Sequence, residues 1–252
     1  MRRKLKQFIY GGIYLAVFGL IVWGFFNVFI VGEPTCFDLR QNQGETGVDC
    51  GGSCESCELK NITPLNVSGR VQVFELENGV ISLLGRVFNS NKNHDGEFSY
   101  RFVLYGRSDR KLDTFSEEGF VYADGETLLN SARILTPNTV QRVELEIFDV
   151  EWFRTEKSLR PDILVKNTST TIVGDELIFG GMAVSNNLIS GFDVEIIAVF
   201  LDQFGFGIFV SKTVLRNFQS FQERDFEIVV PVDAYLMERV DRERTEVYIN
   251  VQ

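Results

Sequence analysis

Histidine, cysteine and the common catalytic motifs are scarce in this chain of 252 residues. The single histidine, His94, lies in the stretch NKNHDG, whose composition is typical of a turn, so we expect an exposed residue and no catalytic triad. No P-loop, GxGxxG or HExxH pattern occurs. All four cysteines lie within residues 36–57, so a disulfide or thiolate site is expected only there.

Positive charge is scarce beyond the N-terminus. Four of the 25 Lys and Arg residues lie in the first six positions, which leaves 21 bases against 35 acids, a net charge of −14. Such acidity repels phosphate backbones and argues against nucleic-acid binding. A solvated, self-repelling surface and an attraction for cations or a basic partner both remain open.

Charge of either sign is absent from residues 8–31, FIYGGIYLAVFGLIVWGFFNVFIV. A helix of this length, rising ~1.5 Å per residue, covers roughly 36 Å and can span a bilayer. A buried soluble helix would show a polar face, and a secretory signal would have an apolar region of about 7 to 15 residues that ends in small residues. The sequence therefore predicts a transmembrane anchor that contacts the lipid bilayer.

The charges that flank this helix predict its orientation. Bases fill the tail of residues 1–7 and Glu33 follows the span, so the positive-inside rule predicts a single-pass protein with a cytoplasmic N-terminus and external C-terminal domains. Gly12, Ala16 and Gly19 fall on one helix face, where they would let a second helix approach and form a homo-oligomer. Small residues are also common in membrane helices for other reasons.

The cysteine-rich module, residues 32–60, contains Cys36, Cys50, Cys54 and Cys57 with the spacing C-x13-C-x3-C-x2-C. Structural zinc sites usually pair two short C-x2-4-C units, and a redox C-x2-C needs a thioredoxin-like context that is missing here. An even number of cysteines outside the membrane favours two disulfides. Three pairings remain open.

Oxygen-bearing side chains are frequent between the first two cysteines and suggest calcium as a cofactor, with these candidate ligands: Asp38, Asn42, Glu45 and Asp49. The loop is not an EF-hand, because Arg40 stands at position 3 and Gln43 replaces the glycine required at position 6. The same residue types are common in solvated turns, which is the alternative.

The stretch CFDLRQNQGETGVDCGGSCESC, residues 36–57, resembles a small cysteine motif that recurs in bacterial surface and secreted proteins, C-x-D-G-x-Q-N-x-x-E-T-G-V-D-C-G-G-x-C-x-x-C. Leu39 stands where this motif usually has glycine. The resemblance implies an extracellular, linker-like module and no particular activity.

An internal repeat with an offset of 96 residues occupies the rest of the chain. LLGRVFNSN at 83–91 aligns with FGGMAVSNN at 179–187, and FSYRFVLY at 98–105 aligns with VEIIAVFL at 194–201, without a gap. Alternation predicts half-buried strands whose inward residues are Phe98, Tyr100, Phe102 and Leu104 in the first copy, and Val194, Ile196, Ala198 and Phe200 in the second. The repeat has the size of an immunoglobulin-like sandwich.

The predicted fold class is mainly β: one N-terminal transmembrane helix, a small disulfide-rich module and two tandem antiparallel β-sandwich domains, residues 61–157 and 158–252. Predicted strands of the first sandwich are 70–76, 80–88, 97–106, 118–122, 128–135 and 140–148. Those of the second are 163–173, 176–185, 191–202, 206–215, 222–230 and 244–251, with a short helix within 233–243. Pro161 marks the boundary.

Each repeat contains a G-x-V-x-N-like strand end, GRVFN at 85–89 and GMAVSN at 181–186, followed by LYG at 104–106 or FLD at 200–202. This pattern resembles the FxLyD-type β-sandwich, which is related to water-stress domains. The whole arrangement is similar to uncharacterised membrane-anchored proteins of small-genome bacteria, which implies an envelope location without a catalytic site.

The sequence therefore predicts a non-enzymatic, membrane-anchored extracellular or envelope protein that acts as a structural, adhesive or assembly subunit with an unidentified protein or envelope partner. Phe204 and Phe206 in FGFGIF are candidates for an apolar docking tip, because the adjacent glycines free the backbone. One alternative is a calcium-dependent adhesion module. Another is a hydrolase using paired carboxylates such as Glu144 and Glu146, which would have to converge in one cleft about 5 to 9 Å apart.

Overall fold

A computed structural model describes residues 2–29, 35–76, 79–136, 139–155, 160–231 and 234–251. The chain forms two compact units, residues 1–62 and 63–252. The first unit holds a long helix and the cysteine module, and the second consists almost entirely of antiparallel strands. The mainly β fold class is thereby confirmed.

Helix α1 (Arg2–Phe29) contains residues 8–29 of the uncharged run. Its segment Lys6–Phe26 is long and apolar enough to cross a membrane, and none of it is buried against the described parts of the chain. Within the described chain this segment is therefore not a buried core helix, whereas a signal sequence would share the same length and composition. The predicted end of the span at residue 31 and the flanking Glu33 lie outside the described residues.

The cysteine module is closed by two disulfides, Cys36–Cys54 and Cys50–Cys57. The described chain has no free cysteine, so it offers no thiolate for zinc in this state, and Cys54 and Cys57 belong to different disulfides. The pairing is crossed along the chain, because Cys50 lies inside the loop that Cys36–Cys54 closes. Helix α2 (Cys57–Lys60) ends the module, with the Ser56 hydroxyl accepting a hydrogen bond from the Glu58 N–H at 3.2 Å.

The second unit contains thirteen strands, one short α-helix and one 3-10 turn (Arg107–Asp109) among its described residues. Those of the first half are β1 (Asn66–Val67), β2 (Gln72–Glu75), β3 (Val80–Asn89), β4 (His94–Tyr105), β5 (Lys111–Val121), β6 (Gly125–Leu135) and β7 (Arg142–Arg154). Those of the second half are β8 (Ile163–Val173), β9 (Glu176–Ser185), β10 (Phe192–Asp202), β11 (Gly207–Phe218), β12 (Glu223–Pro231), helix α3 (Ala234–Arg239) and β13 (Val240–Val251).

The two halves share one topology. In the first half, β1 and β2 lie along one edge of β3 with β6 on its other edge, and a second sheet has the order β5-β4-β7. The second half repeats this as β8-β9-β12 and β11-β10-β13. Each half is thus a two-sheet sandwich with the same strand order, as a duplicated sequence predicts. The predicted boundary between residues 157 and 158 lies outside the described residues.

The matched asparagines of the repeat have equivalent hydrogen bonds. The Asn91 side-chain amide donates to the Thr63 carbonyl at 2.8 Å, and the Asn187 amide donates to the Asp162 carbonyl at 3.0 Å. In both halves this amide fixes the segment that precedes the first strand. The two copies therefore share this turn contact as well as their strands.

Each sandwich has its own apolar core between its two sheets. All eight residues predicted to point inward are buried: Phe98, Tyr100, Phe102 and Leu104 in β4, and Val194, Ile196, Ala198 and Phe200 in β10. The repeated glycine makes room for these cores. A Cβ atom on Gly85 would lie 2.6 Å from Leu145 Cδ2, and one on Gly181 would lie 3.1 Å from the Phe226 ring.

Several predicted element bounds were wrong. Strand β5 begins at residue 111 and not 118, because its polar first half pairs as an exposed edge strand that has little apolar alternation. Strand β7 continues to residue 154 and not 148, and it pairs there with the start of β4. His94 therefore belongs to β4 and is 8 % exposed, which corrects its prediction as an exposed turn residue. Helix α3 ends at residue 239, and β13 starts four residues before its predicted start at 244.

A third apolar cluster joins the two sandwiches. The outer face of the first sandwich's β2-β3-β6 sheet packs on the outer face of the second sandwich's β10-β11 strands through Phe74, Leu84, Leu128, Ile197, Val199 and Val210. A backbone contact supplements it, because the Val210 N–H donates to the buried Ser82 hydroxyl at 3.2 Å. Strand β10 is consequently buried on both faces.

Candidate functional site

The turn between β10 and β11, residues 203–206, is called the tip here. Its two phenylalanines, Phe204 and Phe206, are 73 % and 69 % exposed. Gly205 between them has φ +84°, in the left-handed region that favours glycine. The structure thus places both predicted docking residues on the surface of one tight turn.

Asp202 holds the tip in this conformation. One oxygen of its carboxylate accepts hydrogen bonds from the backbone N–H groups of Phe204 and Phe206, both at 2.9 Å, while the other accepts from Arg239 Nη2 at 3.2 Å. Asp202 is 4 % exposed. Hydrogen bonds from Phe206, then Phe204, and the Arg239 guanidinium hold the pKa of this carboxyl below its ordinary value, although burial opposes them.

The equivalent turn of the first sandwich, residues 107–110, has the same length and the same closing hydrogen bond. The Gly106 N–H donates to the Arg110 carbonyl at 2.9 Å, as the Asp202 N–H donates to the Phe206 carbonyl at 2.9 Å. Its side chains are nevertheless polar, with Ser108 and Arg110 at the positions of the two phenylalanines. The fold therefore accepts polar residues at this turn.

A charged network crosses the interface between the sandwiches. Lys212 Nζ on β11 lies 3.0 Å from Glu117 Oε2 on β5 and 2.8 Å from Glu195 Oε1 on β10. The Tyr100 hydroxyl also donates to Glu117 Oε2, at 3.1 Å. Burial lowers the pKa of Lys212, but the two carboxylates outweigh it and raise this pKa. The residues are far apart in sequence, so no local pattern predicts the network.

Asn250 of β13 joins the network to the backbone of the first sandwich. Its side-chain amide donates to the Leu128 carbonyl and to Glu195 Oε2, both at 2.7 Å, and its side-chain oxygen accepts from the Leu128 N–H at 3.4 Å. Asn130 lies on β6, two residues after Leu128. It is fully buried, and neither polar atom of its side chain has a hydrogen-bond partner. The interface is therefore polar at several points and incompletely satisfied at one.

The predicted calcium ligands bond to their own loop. Glu45 Oε2 accepts from the Asn42 and Asp49 N–H groups, both at 3.1 Å, and the Asp49 carboxylate accepts from the Leu39 N–H at 3.0 Å. Asp38 Oδ2 accepts from Asn42 Nδ2 at 2.7 Å. These bonds give each carboxylate a role in shaping the module.

One group in the described chain has metal-ligand types close together: ligand atoms of Cys36, Glu45 and Cys54 lie within 4.8 Å of one another. Both sulfurs belong to the Cys36–Cys54 disulfide, so neither is a thiolate that could bind a metal. The calcium site at Asp38, Asn42, Glu45 and Asp49 stays a prediction.

The carboxylate pair considered for hydrolysis lies on β7, at the wall of an open groove of about 810 Å³. Glu144 and Glu146 lie two residues apart on the same strand, and each is ion-paired, with Arg142 and Arg101 respectively. A glycosidase needs two carboxyls on opposite sides of the bond, one of them protonated. Neighbours on one strand face, both held by guanidinium groups, do not provide that arrangement.

The small-residue face of α1 is exposed at Gly12, Ala16 and Gly19, and nothing in the described chain lies within 4 Å of a Cβ built on either glycine. A second helix could therefore approach this face, but no contact tests that. The homo-oligomer stays a prediction.

No protein-family model matches the chain, and no curated protein matches it. Among solved structures, the chain is similar to red sea bream transglutaminase, with 8 % identity, coverage of 77 % of this chain and 29 % of that chain, and a TM-score of 0.25. The chain thus spans less than a third of that structure. A likeness at this level carries no argument about activity, so the function has to be inferred from the geometry.

Proposed function

We propose that this chain is a membrane-anchored, non-enzymatic subunit of a cell envelope, which uses a rigid pair of β-sandwiches to bind an assembly partner outside the membrane. The tip is the binding element. The FxLyD-like pattern and the cysteine motif of bacterial surface proteins are consistent with this assignment.

The anchor is supported by the length and composition of α1. Residues 8–26 of this 28-residue helix are uncharged and lie in a segment that is not buried, so lipid accommodates them better than water. The two disulfides support an oxidising compartment for the following residues, because such bonds rarely persist in a reducing cytoplasm. Together they support a cytoplasmic tail and external domains.

Rigidity is supported by the interface between the sandwiches. The apolar cluster, the Lys212 network and the Asn250 contacts with Leu128 fix the relative position of the two β units. A partner bound at the tip would therefore be held at a defined distance and angle from the first sandwich.

The observation that carries the proposal is the difference between the two equivalent turns. A turn of the same length, closed by the same backbone hydrogen bond, carries Ser108 and Arg110 in one sandwich and two exposed phenylalanines in the other. Exposed apolar side chains gain ~1.5–3 kcal/mol each when a partner covers them fully. Because Asp202 already fixes the tip, little conformational entropy would be lost on binding.

Site-specific photo-crosslinking tests this function in the cells that naturally produce the protein. A benzophenone amino acid replaces Phe206 in one full-length variant and Arg110, at the equivalent turn of the first sandwich, in a matched variant. We expect irradiation to give a discrete adduct from position 206 and none from position 110. The Phe204→Ser substitution should abolish the adduct, because it removes half of the apolar surface.

Equal adducts from both positions, or none from position 206, would contradict the tip as the binding element. Protease added to intact spheroplasts tests the topology separately. We expect it to degrade the sandwiches while the N-terminal tail stays protected, and protection of the sandwiches would contradict the external location.

A further inference from the structure

The cysteine module exposes two large apolar side chains that nothing in the described chain covers. Phe37 is 91 % exposed and Leu39 is 81 % exposed. The carboxylate of Asp38, between them, accepts hydrogen bonds from the Asn42 side-chain amide and from the Arg40 N–H. The backbone thus presents Phe37 and Leu39 outward while it anchors the residue between them.

Leu39 also has an unfavourable backbone conformation. Its φ is +59°, in the left-handed region where a Cβ crowds the following carbonyl and where glycine is preferred. The conformation is enforced, because the Leu39 N–H donates to the Asp49 carboxylate. The surface motif that this module resembles has glycine at this position. This chain therefore carries a leucine where both the backbone and the solvent disfavour it.

The chain length keeps these two residues close to the end of α1. Seven residues, 30–36, separate Phe29 from Phe37. At a maximum of ~3.6 Å per residue, Phe37 lies within roughly 29 Å of the end of the helix along any path. If α1 spans the bilayer, Phe37 and Leu39 are therefore held within reach of the membrane surface.

We propose that Phe37 and Leu39 insert into the boundary between headgroups and acyl chains of the bilayer that holds α1. Burial in this layer removes both side chains from water and offsets the strain at Leu39, while Arg40 can contact phosphate groups. The inference rests on the proposed membrane anchor. It assigns the cysteine module a second lipid contact, which fixes its orientation on the membrane.

Tryptophan quenching in nanodiscs tests the two contacts separately, because the chain has two tryptophans, Trp23 in α1 and Trp152 in β7. The full-length Trp152→Phe variant leaves Trp23 as the reporter of the anchor. A second full-length variant, Trp23→Phe/Trp152→Phe/Phe37→Trp, reports position 37. Both are reconstituted with phosphatidylcholine brominated either near the carbonyls or near the methyl ends.

We expect Trp23 to be quenched by brominated lipid, and the tryptophan introduced at position 37 to be quenched at least twofold more by shallow than by deep bromines. Adding Leu39→Gly to the Phe37→Trp variant should reduce the shallow quenching, because it removes the neighbouring apolar side chain without disturbing the left-handed backbone. Quenching of Trp23 without quenching at position 37 would overturn the lipid contact and leave the anchor intact. No quenching of Trp23 would overturn the anchor and this inference with it.

Phe221 supplies a matched control, since it is 63 % exposed, has φ +51° and lies in the second sandwich. In the Trp23→Phe/Trp152→Phe protein, Phe221→Trp places the reporter at an exposed position far along the chain from α1. Its quenching is the background expected for an exposed aromatic residue. We expect less quenching there than at position 37. Equal quenching at both positions would contradict insertion of the module.

Discussion

The two sandwiches share a topology and differ in what covers their equivalent strands β4 and β10. Arg101 on β4 and Ile197 on β10 occupy equivalent positions, opposite Ser116 and Lys212 respectively. Arg101 is exposed and ion-paired, whereas Ile197 is fully buried against the first sandwich. At this position β4 has an exposed charged residue, whereas β10 contributes an apolar residue to the interface between the sandwiches.

Duplicated domains diverge on surfaces that their common fold does not require. The inward residues, the glycine opposite the core and the turn asparagines are equivalent in both copies because each sandwich needs them. The outer faces of β4 and β10 and the turns that follow them differ, and in the second copy these are the surfaces that meet the other sandwich and, in our proposal, the partner. Four substitutions test this division, beginning with the one expected to have the largest effect.

The largest effect is expected from Ile197→Arg, which gives β10 the residue that β4 has at the same position. An unpaired charge would be buried in the interface, so the free energy of unfolding should fall by ~3–5 kcal/mol. Urea denaturation of residues 63–252 measures this change.

The reciprocal substitution Arg101→Ile is the control. It removes an exposed ion pair with Glu146 and should change stability by less than ~1 kcal/mol. Equal effects of the two substitutions would show that β10 and β4 have the same environment, contrary to the structure.

A smaller effect is expected from Lys212→Met, because it removes the cation between Glu117 and Glu195. The two carboxylates would be left close together and partly buried, which should cost about 1–3 kcal/mol. Ser116→Met, at the equivalent place in the first sandwich, is the matched control and should have little effect.

The pH dependence of the Lys212→Met effect follows from the raised pKa of Lys212. A raised pKa contributes stability that is fully present below the ordinary value of 10.5 and is lost as pH rises through the folded value. The free energy of unfolding of the unmodified protein and of the Lys212→Met variant should be measured from pH 7 to 11. The difference between them should be constant up to the ordinary pKa of 10.5 and shrink only above it. A difference that shrinks below pH 9 would contradict the ion pairs.

The third substitution, Asn130→Leu, should stabilise the interface. Both polar atoms of this buried side chain lack a hydrogen-bond partner, so replacing it removes a desolvation cost of about 1–2 kcal/mol. The melting temperature of residues 63–252 should rise by several degrees. A lower melting temperature would indicate that Asn130 is satisfied in solution.

The smallest effect is expected at the tip, where Asp202→Asn weakens a hydrogen-bond acceptor without changing its size. The amides of Phe204 and Phe206 should exchange with deuterium at least tenfold faster, while overall stability changes little. In the unmodified protein, protection should be present above the ordinary pKa of 3.8 and lost as pH falls through the lowered value. In the first sandwich Gly106 stands at the position of Asp202, so the turn at residues 107–110 lacks this acceptor and should not show this acid dependence.

The sandwiches could be predicted because two separate signals, the alternation of apolar residues and the internal repeat, indicate the same strands. In the second copy, strands β8 and β9 have the predicted bounds, 163–173 and 176–185. The first half of β5 was missed because its exposed edge carries few apolar residues. The extension of β7 was missed because its bulge at Asp149, with φ +50°, interrupts the alternation.

The site was predicted only in part. Glycines around Phe204 and Phe206 indicated an exposed tip, but the contact of Asp202 with Arg239, which lies 37 residues away, has no local signal. The interface left one local signal, the nearly continuous apolar run VEIIAVFL, since a strand that faces solvent on one side would alternate. Its partners on the first sandwich lie about 70 to 125 residues earlier, beyond any local pattern.

The crossed disulfides determine how the chain responds to load. A pull on the residues after Cys57, resisted at α1, passes through the module. Cys36 and Cys54 are 18 residues apart in sequence, but their disulfide holds the two Cα atoms at 5.6 Å. The extended segment would be roughly 60 Å longer, so the bond keeps that length of chain from extending. The module is therefore an inextensible link, and its length under tension depends on the redox state of its surroundings.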